Sequence, residues 1–120
     1  MSNISVISIL NDVAIAKNAA AFGVIDLSRY DTEGFFSAQI ELAGTGAVDV
    51  VASMSNNGTD YITPSGMANL FSTFNATSGE GSDGKSIVSF DPLLSRYLKI
   101  TATEDNTNPI TALTIWLAIQ

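Results

Sequence analysis

The 120-residue sequence contains no cysteine and no histidine. The first absence excludes disulfides, thiolate metal sites and thiol nucleophiles. The second excludes the usual Ser–His and Cys–His catalytic arrangements and most zinc sites, because only hard oxygen ligands remain. The enzyme classes left are carboxylate pairs, Ser–Lys dyads and magnesium sites. The composition therefore favours a protein that is not an enzyme and that carries no cofactor.

Charge is also scarce, at 14% of residues, and it is mostly negative, with a net charge of −7. The five cations are scattered along the chain, whereas binding to nucleic acid needs clustered Lys and Arg. Nucleic acid is therefore not an expected partner. Because 46% of the residues are hydrophobic, much of the surface must consist of Ser, Thr, Asn and Ala. This composition suits a protein that buries surface in an assembly.

Long hydrophobic runs are absent as well. No apolar run approaches the ~18 residues of a membrane-spanning segment, and the N-terminus lacks the positive region and cleavage site of a signal peptide. We expect a chain that is made in a cytoplasm, stays soluble and does not bind a membrane. Its length fits one domain over residues 1–120, in which residues 1–12 form an N-terminal arm or edge strand.

Residues 79–86 read GEGSDGKS and fit the pattern G-x-x-x-x-G-K-[ST] of a phosphate-binding loop. That loop needs a buried strand before it and a helix directly after it, whose N-terminus faces the phosphates. Turn-forming residues precede the segment here, and Asp91-Pro92 follows too soon for a helix. Glu80 and Asp83 would also repel phosphate. The sequence therefore predicts an exposed surface loop without a bound nucleotide.

Apolar residues alternate with polar ones over most of the chain, which predicts strands. Between seven and nine strands at short spacing indicate an all-β fold, an antiparallel β-sandwich of the jelly-roll kind with about eight strands. The clearest strands cover residues 4–9, 35–43, 47–54, 85–90, 96–103 and 110–119. A short helix over residues 14–21, capped by Asp12, is the alternative to continued extended structure there. The step Asn57-Gly58 predicts a tight hairpin that, with a two-residue loop, pairs Met54 with Tyr61.

The last strand has two apolar faces. Its odd positions, from Leu113 to Ile119, are enough to face the core, whereas its even positions carry no charge where a solvated face would show Lys or Glu. We expect this even face to be covered by the N-terminal arm, by a neighbouring copy or by a larger assembly. The interface candidates are Trp116, Thr114, Ala112, Ile4 and Val6.

Three exposed tyrosines are candidates for binding sugars, because sandwich modules bind sugars on exposed aromatic rings. They are Tyr30, Tyr61 and Tyr97. The competing interpretation places each ring half in the core at a strand end. The tetrapeptide Leu-Ser-Arg-Tyr occurs at residues 27–30 and again at 94–97, and each Arg is expected to reach a carboxylate or carbonyl at a sheet edge.

Acidic side chains offer two further interpretations. Glu41 and Asp49, expected on neighbouring strands, represent the carboxylate pairs that glycoside chemistry uses. Asp60, Glu80 and Asp83 carry loop oxygens of the type that binds calcium, although no calcium-loop spacing is present. The sequence leaves calcium binding open.

Three segments together carry a family resemblance: FSAQIELAGTGAVDV at residues 36–50, MSNNGTDY at 54–61, and FDP at 90–92 followed by RYLKITAT at 96–103. This order is similar to that in small virion structural proteins of tailed bacteriophages, and more loosely to that in discoidin-like sandwich modules. The resemblance implies a β-sandwich on the capsid exterior that decorates and cements the shell. The implied partners are the major capsid protein and further copies of this chain, with a homotrimer favoured. The alternative is a carbohydrate-binding module on a phage tail or baseplate.

Overall fold

The computed structural model describes residues 4–105 and 107–120. These residues form eight strands and one 3₁₀ turn at Leu27–Arg29. The strands are β1 (Ser5–Ile15), β2 (Ala20–Asp26), β3 (Phe36–Gly44), β4 (Val48–Ser55), β5 (Phe71–Phe74), β6 (Lys85–Phe90), β7 (Tyr97–Glu104) and β8 (Ile110–Ile119). The expected all-β class and strand number are confirmed.

The strands build two antiparallel four-stranded sheets that pack as a sandwich. Sheet I has the order β1-β8-β3-β6, and sheet II has the order β2-β7-β4-β5. The first strand pairs with the eighth, the second with the seventh, the third with the sixth and the fourth with the fifth. A long hairpin folded over on itself gives this pairing, which is the jelly-roll topology.

The core lies between the inward faces of the two sheets. Leu113, Ile115, Leu117 and Ile119 of β8 are at most 1% exposed, as their odd positions predict. Leu98 and Ile100 of β7 oppose them from sheet II and are fully buried. Because side chains alternate along a strand, this buried set leaves the even positions of β8 on the outer face of sheet I.

The predicted tight hairpin at Asn57-Gly58 is wrong. Met54 forms an isolated bridge with Ile62, not with Tyr61, so the loop is longer than two residues. A side-chain network replaces the short turn: the Ser55 hydroxyl accepts the Gly58 N–H at 2.9 Å, and the Asn57 side-chain oxygen accepts the Asp60 N–H at 2.9 Å. Hydrogen bonds from backbone N–H groups to the Ser55 and Asn57 side chains close this loop, and the sequence rule for two-residue turns does not predict such bonds.

The N-terminal strand lies beside β8 within sheet I and does not cover the outer face of that sheet. Ser5 pairs with Ile119 and Ile7 with Leu117, and the pairing continues to Ile15 through bulges. Cover of the even face by the N-terminal arm, one of three expected possibilities, is thereby excluded for residues 4–12. Residues 1–3 of that arm lie outside the described residues. A helix over 14–21 is also not formed, because β1 runs to Ile15 and β2 begins at Ala20.

One buried carboxylate joins the two connections at an end of the sandwich. Glu104, at the end of β7, accepts hydrogen bonds from the Asn18 N–H at 2.7 Å and from the Thr107 hydroxyl at 2.9 Å. Burial raises the pKa of Glu104, but these bonds and the one from the Thr107 N–H outweigh burial and hold the pKa below its usual range. Glu104 therefore fixes the turn after β1 and the loop before β8.

The two Leu-Ser-Arg-Tyr segments lie next to each other. The Leu27 N–H donates to the Arg96 carbonyl, and both arginines reach the carboxylate of Asp26, at 3.3 Å from Arg96 and 4.0 Å from Arg29. The expectation that each cation reaches a carboxylate is confirmed. Hydrogen bonds from Ser28 and Arg96 lower the pKa of Asp26 to about 2.

Candidate binding surfaces

The segment 79–86 has the structure of a turn. The Gly84 N–H donates to the Ser78 carbonyl at 2.9 Å, which closes the loop on itself. Lys85 begins strand β6, where a phosphate-binding loop would begin a helix, and its ammonium lies 4.0 Å from Glu41. Gly79 and Gly84 both have positive φ, and an added Cβ on either would meet backbone within 2.6 Å. The spacing of the two glycines thus serves chain reversal.

The carboxylate pair named from the sequence is not assembled. Glu41 lies on β3 in sheet I, whereas Asp49 lies on β4 in sheet II. The chain crosses between the sheets from β3 to β4, so these two consecutive strands are not neighbours in a sheet. Asp60 accepts from the Asn57 amide, and Glu80 accepts from the Ser86 hydroxyl. No group of three or more acidic side chains able to hold a metal occurs within residues 4–105 and 107–120.

The outer face of sheet I brings all five interface candidates together. Cross-strand partners share a face, and Val6 pairs with Ala118, Ser37 with Ala118 and Gln39 with Trp116. Extending this register across the sheet gives the residues of the face, which are Ile4, Val6, Ser8, Ala112, Thr114, Trp116, Ala118, Gln120, Phe35, Ser37, Gln39, Glu41, Ala43, Lys85, Ile87 and Ser89.

Apolar side chains on this face are unusually exposed. Ile4 is 63% exposed, Val6 65%, Phe35 63% and Ile87 59%. Trp116 is half-buried near the middle of the face. The Glu41–Lys85 pair lies in the row of Thr114, next to the row of Trp116, and Asp91 lies at the far end near Phe35. The rows of Trp116 and Ala118 between them form an uncharged surface of the kind that a partner covers.

Sequence reasoning did not select Phe35 and Ile87 for this face. The signal was present in the alternation, because Phe35 has the same parity as the outward Ser37, Gln39 and Glu41. The sequence does not show the strand order β1-β8-β3-β6, which places residues 4, 6, 35 and 87 on the same face as Trp116.

The outer face of sheet II holds two of the three sugar-binding candidates. Tyr97 lies on β7, and the Arg96 guanidinium lies 5.0 Å from its ring centre. Tyr61 reaches the same face, where the Lys99 ammonium lies 5.0 Å from its ring centre. Phe22, which sequence reasoning did not select, is 60% exposed, and its ring centre lies 4.3 Å from the same ammonium.

The third candidate, Tyr30, is separate from this group. It follows the 3₁₀ turn and packs against the core. Tyr30 therefore agrees with the interpretation that places the ring half in the core. For Tyr97 that interpretation fails, because Tyr97 pairs with Asp26 and Ser55 on the outward side of sheet II.

A cleft of about 770 Å³ lies at one end of the sandwich, between the 3₁₀ turn and the connection from β6 to β7. Leu94 projects at its rim and is fully exposed, and Leu93 beside it is 62% exposed. Glu33 and Arg96 line the polar side of the cleft.

Within the described residues, no helix has the length and apolar character that crossing a membrane requires.

Comparison with known proteins places the fold but not a family. No protein-family model matches the chain, and no curated protein matches it significantly. Among solved structures, it resembles a mitogen derived from Yersinia pseudotuberculosis, with a TM-score of 0.55 and 6% identity over 99% of this chain and 86% of the mitogen. A chain of infectious bursal disease virus, strain Gx, gives a TM-score of 0.44 at 9% identity, over 99% of this chain and 33% of the viral one. The first resemblance supports the β-sandwich; the second is too distant to carry an argument.

Proposed function

We propose that the protein is a non-enzymatic structural component of a bacteriophage virion, which decorates and cements the capsid by bridging neighbouring shell subunits. The observation that carries this proposal is the outer face of sheet I, where Val6 and Ile87 lie near Trp116, and exposed Ile4 and Phe35 lie farther along the same face beside Gln120. Jelly rolls occur in viral capsid and lectin domains alike, so the fold supports the proposal only by analogy.

The chemistry of this face fits a protein partner. Interface centres are depleted in charge and enriched in aromatic residues, with a polar rim. Trp116 lies beside Gln39 and Ser8, and the Glu41–Lys85 pair lies in the next row. A tryptophan near the centre of an uncharged patch is the type of residue that anchors binding. The face therefore supports a stable contact with a shell surface.

The charge of the molecule fits a place on the outside of the shell. A net charge of −7 opposes contact with the packaged nucleic acid, since binding to phosphate requires clustered cations. The five cations include Arg29, Lys85 and Arg96, which all lie within 4.0 Å of carboxylates. The major capsid protein, not the genome, is the proposed partner.

Binding to shells tests the proposal. Shells assembled from the major capsid protein of the same genome are sedimented with the protein, and the bound amount is measured against concentration. The wild type should saturate at a fixed stoichiometry. Ser37→Lys places a charge in the middle of the outer face of sheet I and should weaken binding at least ten-fold. Ser53→Lys places the same charge on the outer face of sheet II and should bind as the wild type does. Equal binding by the two variants, or no binding by the wild type, would refute the proposal.

The same face can also hold copies of this chain together, and we propose a homo-oligomer, with a trimer favoured, as the unit that binds the shell. Trp116→Ala should then weaken assembly, seen by native mass spectrometry, before it lowers the urea midpoint of the monomer. A wild type that is only monomeric at micromolar concentration, in solution and when released from shells, would contradict self-association.

A second candidate function is carbohydrate binding on a phage tail or baseplate. The outer face of sheet II favours it, because the exposed ring of Phe22 and the partly exposed rings of Tyr61 and Tyr97 lie on the same side of the sheet. Aromatic rings that pack on sugars contribute both apolar contact and orientation. Binding on a glycan array should be lost in Tyr61→Ala and retained in Trp116→Ala, whose substitution lies on the other sheet. Retention in both variants would refute a site at Tyr61.

A further inference from the structure

Lys99 lies in the middle of the outer face of sheet II, and within the described part of the chain it has no carboxylate partner. Its ammonium is 4.3 Å from the ring centre of Phe22 and 5.0 Å from that of Tyr61. No carboxylate oxygen of residues 4–105 and 107–120 lies within 4.0 Å of it. In a chain with 12 acidic and five basic residues, a central cation that pairs only with aromatic rings retains its full charge for a ligand.

The surroundings of Lys99 are uncharged. Its cross-strand partners are Val24 and Ser53, and in the next row Phe22 and Val51 flank Thr101. The acidic residues at the two ends of this face are already engaged. Asp26 pairs with Arg96 at 3.3 Å, and Asp49 accepts the Thr73 N–H at 2.7 Å. More distant carboxylates are screened at physiological salt, where the Debye length is about 8 Å.

The rings hold the ammonium in place but do not neutralise it. A cation–π contact at an exposed site is weak and leaves the positive charge available to an anion. Phe22 is 60% exposed and Val24 is 42% exposed, so an apolar surface lies next to the cation. The hydroxyl groups of Ser53 on β4 and of Thr101 on β7 also border the cation. Cation, apolar surface and hydroxyls together match a ligand that combines a carboxylate, a C–H face and hydroxyl groups.

We infer that Phe22, Lys99 and Tyr61 form a binding site for a carboxylate-bearing sugar, such as a uronate or a sialate. The inference rests on the second candidate function, carbohydrate binding. The carboxylate pairs with the Lys99 ammonium, and the C–H face of the sugar packs on the exposed ring of Phe22. Lys99 determines the preference for an acidic sugar, because the aromatic rings of Phe22, Tyr61 and Tyr97 alone would suit neutral sugars equally well.

An acidic peptide fits this site less well than an acidic sugar. Extended peptides gain affinity by adding to a free strand edge through main-chain hydrogen bonds. Strand β7, which carries Lys99, is an inner strand that pairs with β2 on one side and β4 on the other. A peptide there would have side-chain contacts only, whereas a sugar brings its own hydroxyl groups to the flat surface.

Paired glycans test the inference. Sialylated and uronate-containing oligosaccharides are compared with their carboxyl methyl esters, which keep the sugar and remove the charge. The free acids should bind at least ten-fold more tightly. Lys99→Met should abolish this difference, and Lys17→Met, which removes an exposed lysine on the turn after β1, should leave it unchanged. Phe22→Ser should weaken binding of acid and ester alike. Circular dichroism and urea unfolding verify that each variant folds, and Lys99→Gln replaces Lys99→Met if the latter does not.

The outcomes separate the inference from the function on which it rests. If the esters bind as tightly as the acids, the site binds sugars but the inference is wrong. If Lys99→Met keeps the discrimination, another cation is responsible and the inference is also wrong. If a poly-glutamate peptide binds as tightly as the acidic glycans, the ligand class is wrong. If no glycan binds at all, both the carbohydrate function and the inference fall.

Discussion

Replacing Gly84 with alanine tests the structural role of the loop at residues 79–86. Gly84 has a φ of +78°, and a Cβ there would lie 2.6 Å from the Leu42 carbonyl oxygen. The left-handed backbone costs a residue with a side chain about 1–2 kcal/mol. The displaced carbonyl of Gly84 would also lose the bond from the Leu42 N–H, now 2.9 Å, at about 1 kcal/mol. Together these give a loss of about 2–3 kcal/mol in the free energy of unfolding.

Urea unfolding followed by circular dichroism measures this loss. With a slope of about 1.5 kcal/mol/M, the midpoint should fall by about 1.3–2 M. Two glycines serve as controls. Gly66→Ala, at φ +85° with no atom within 4 Å of the added Cβ, isolates the backbone cost, about 1–2 kcal/mol. Gly81→Ala meets only ordinary contacts and should change stability by less than about 0.5 kcal/mol. A Gly84→Ala midpoint equal to that of Gly81→Ala would refute the reasoning. Micromolar Mg-ATP binding that Lys85→Ala abolishes would also refute it, because the loop would then bind a nucleotide.

Other substitutions test single contacts by urea unfolding. Asp26→Asn should be less stable than the wild type at pH 7, because the folded-state pKa of Asp26, about 2, lies below the unfolded value. The difference in stability should disappear as the pH falls from about 4 towards 2. A difference that does not depend on pH would contradict the ion pair with Arg96. Glu104→Gln should likewise lose stability at pH 7 and converge with the wild type in acid, since the folded-state pKa is lowered. Ser55→Ala removes the acceptor of the Asn57 and Gly58 N–H groups and should cost about 1–2 kcal/mol; an unchanged midpoint would mean that the loop does not depend on it.

Much of the fold was predictable because alternation reports which face a residue occupies. The odd positions of β8 are buried as predicted, and the uncharged even positions indicated a second surface. Alternation does not report which strands pair. The chain crosses from sheet I to sheet II between β3 and β4, so Glu41 and Asp49 separate although their strands are consecutive. The expectation that the two residues lie on neighbouring strands of one sheet was wrong for that reason.

The candidate sites depended on the same long-range pairing. Phe22, Tyr61 and Lys99 come from three distant parts of the chain and meet only because β2 pairs with β7 and the loop after β4 folds over them. The sequence shows that Phe22 and Tyr61 are aromatic and that Lys99 is cationic, but no local sequence pattern indicates that these residues are in contact. The Asn57-Gly58 turn failed for a different reason, because Ser55 and Asn57 side chains supply the bonds that close it.

An electron cryo-microscopy map of shells decorated with this protein tests the central claim most directly. The map shows which surface of each copy contacts the shell or a neighbouring copy. The account predicts that the outer face of sheet I is covered, with Trp116, Val6 and Ile87 buried, and that the outer face of sheet II is exposed to solvent. Shells that bind the protein with sheet I facing solvent, or that do not bind it at all, would contradict the account.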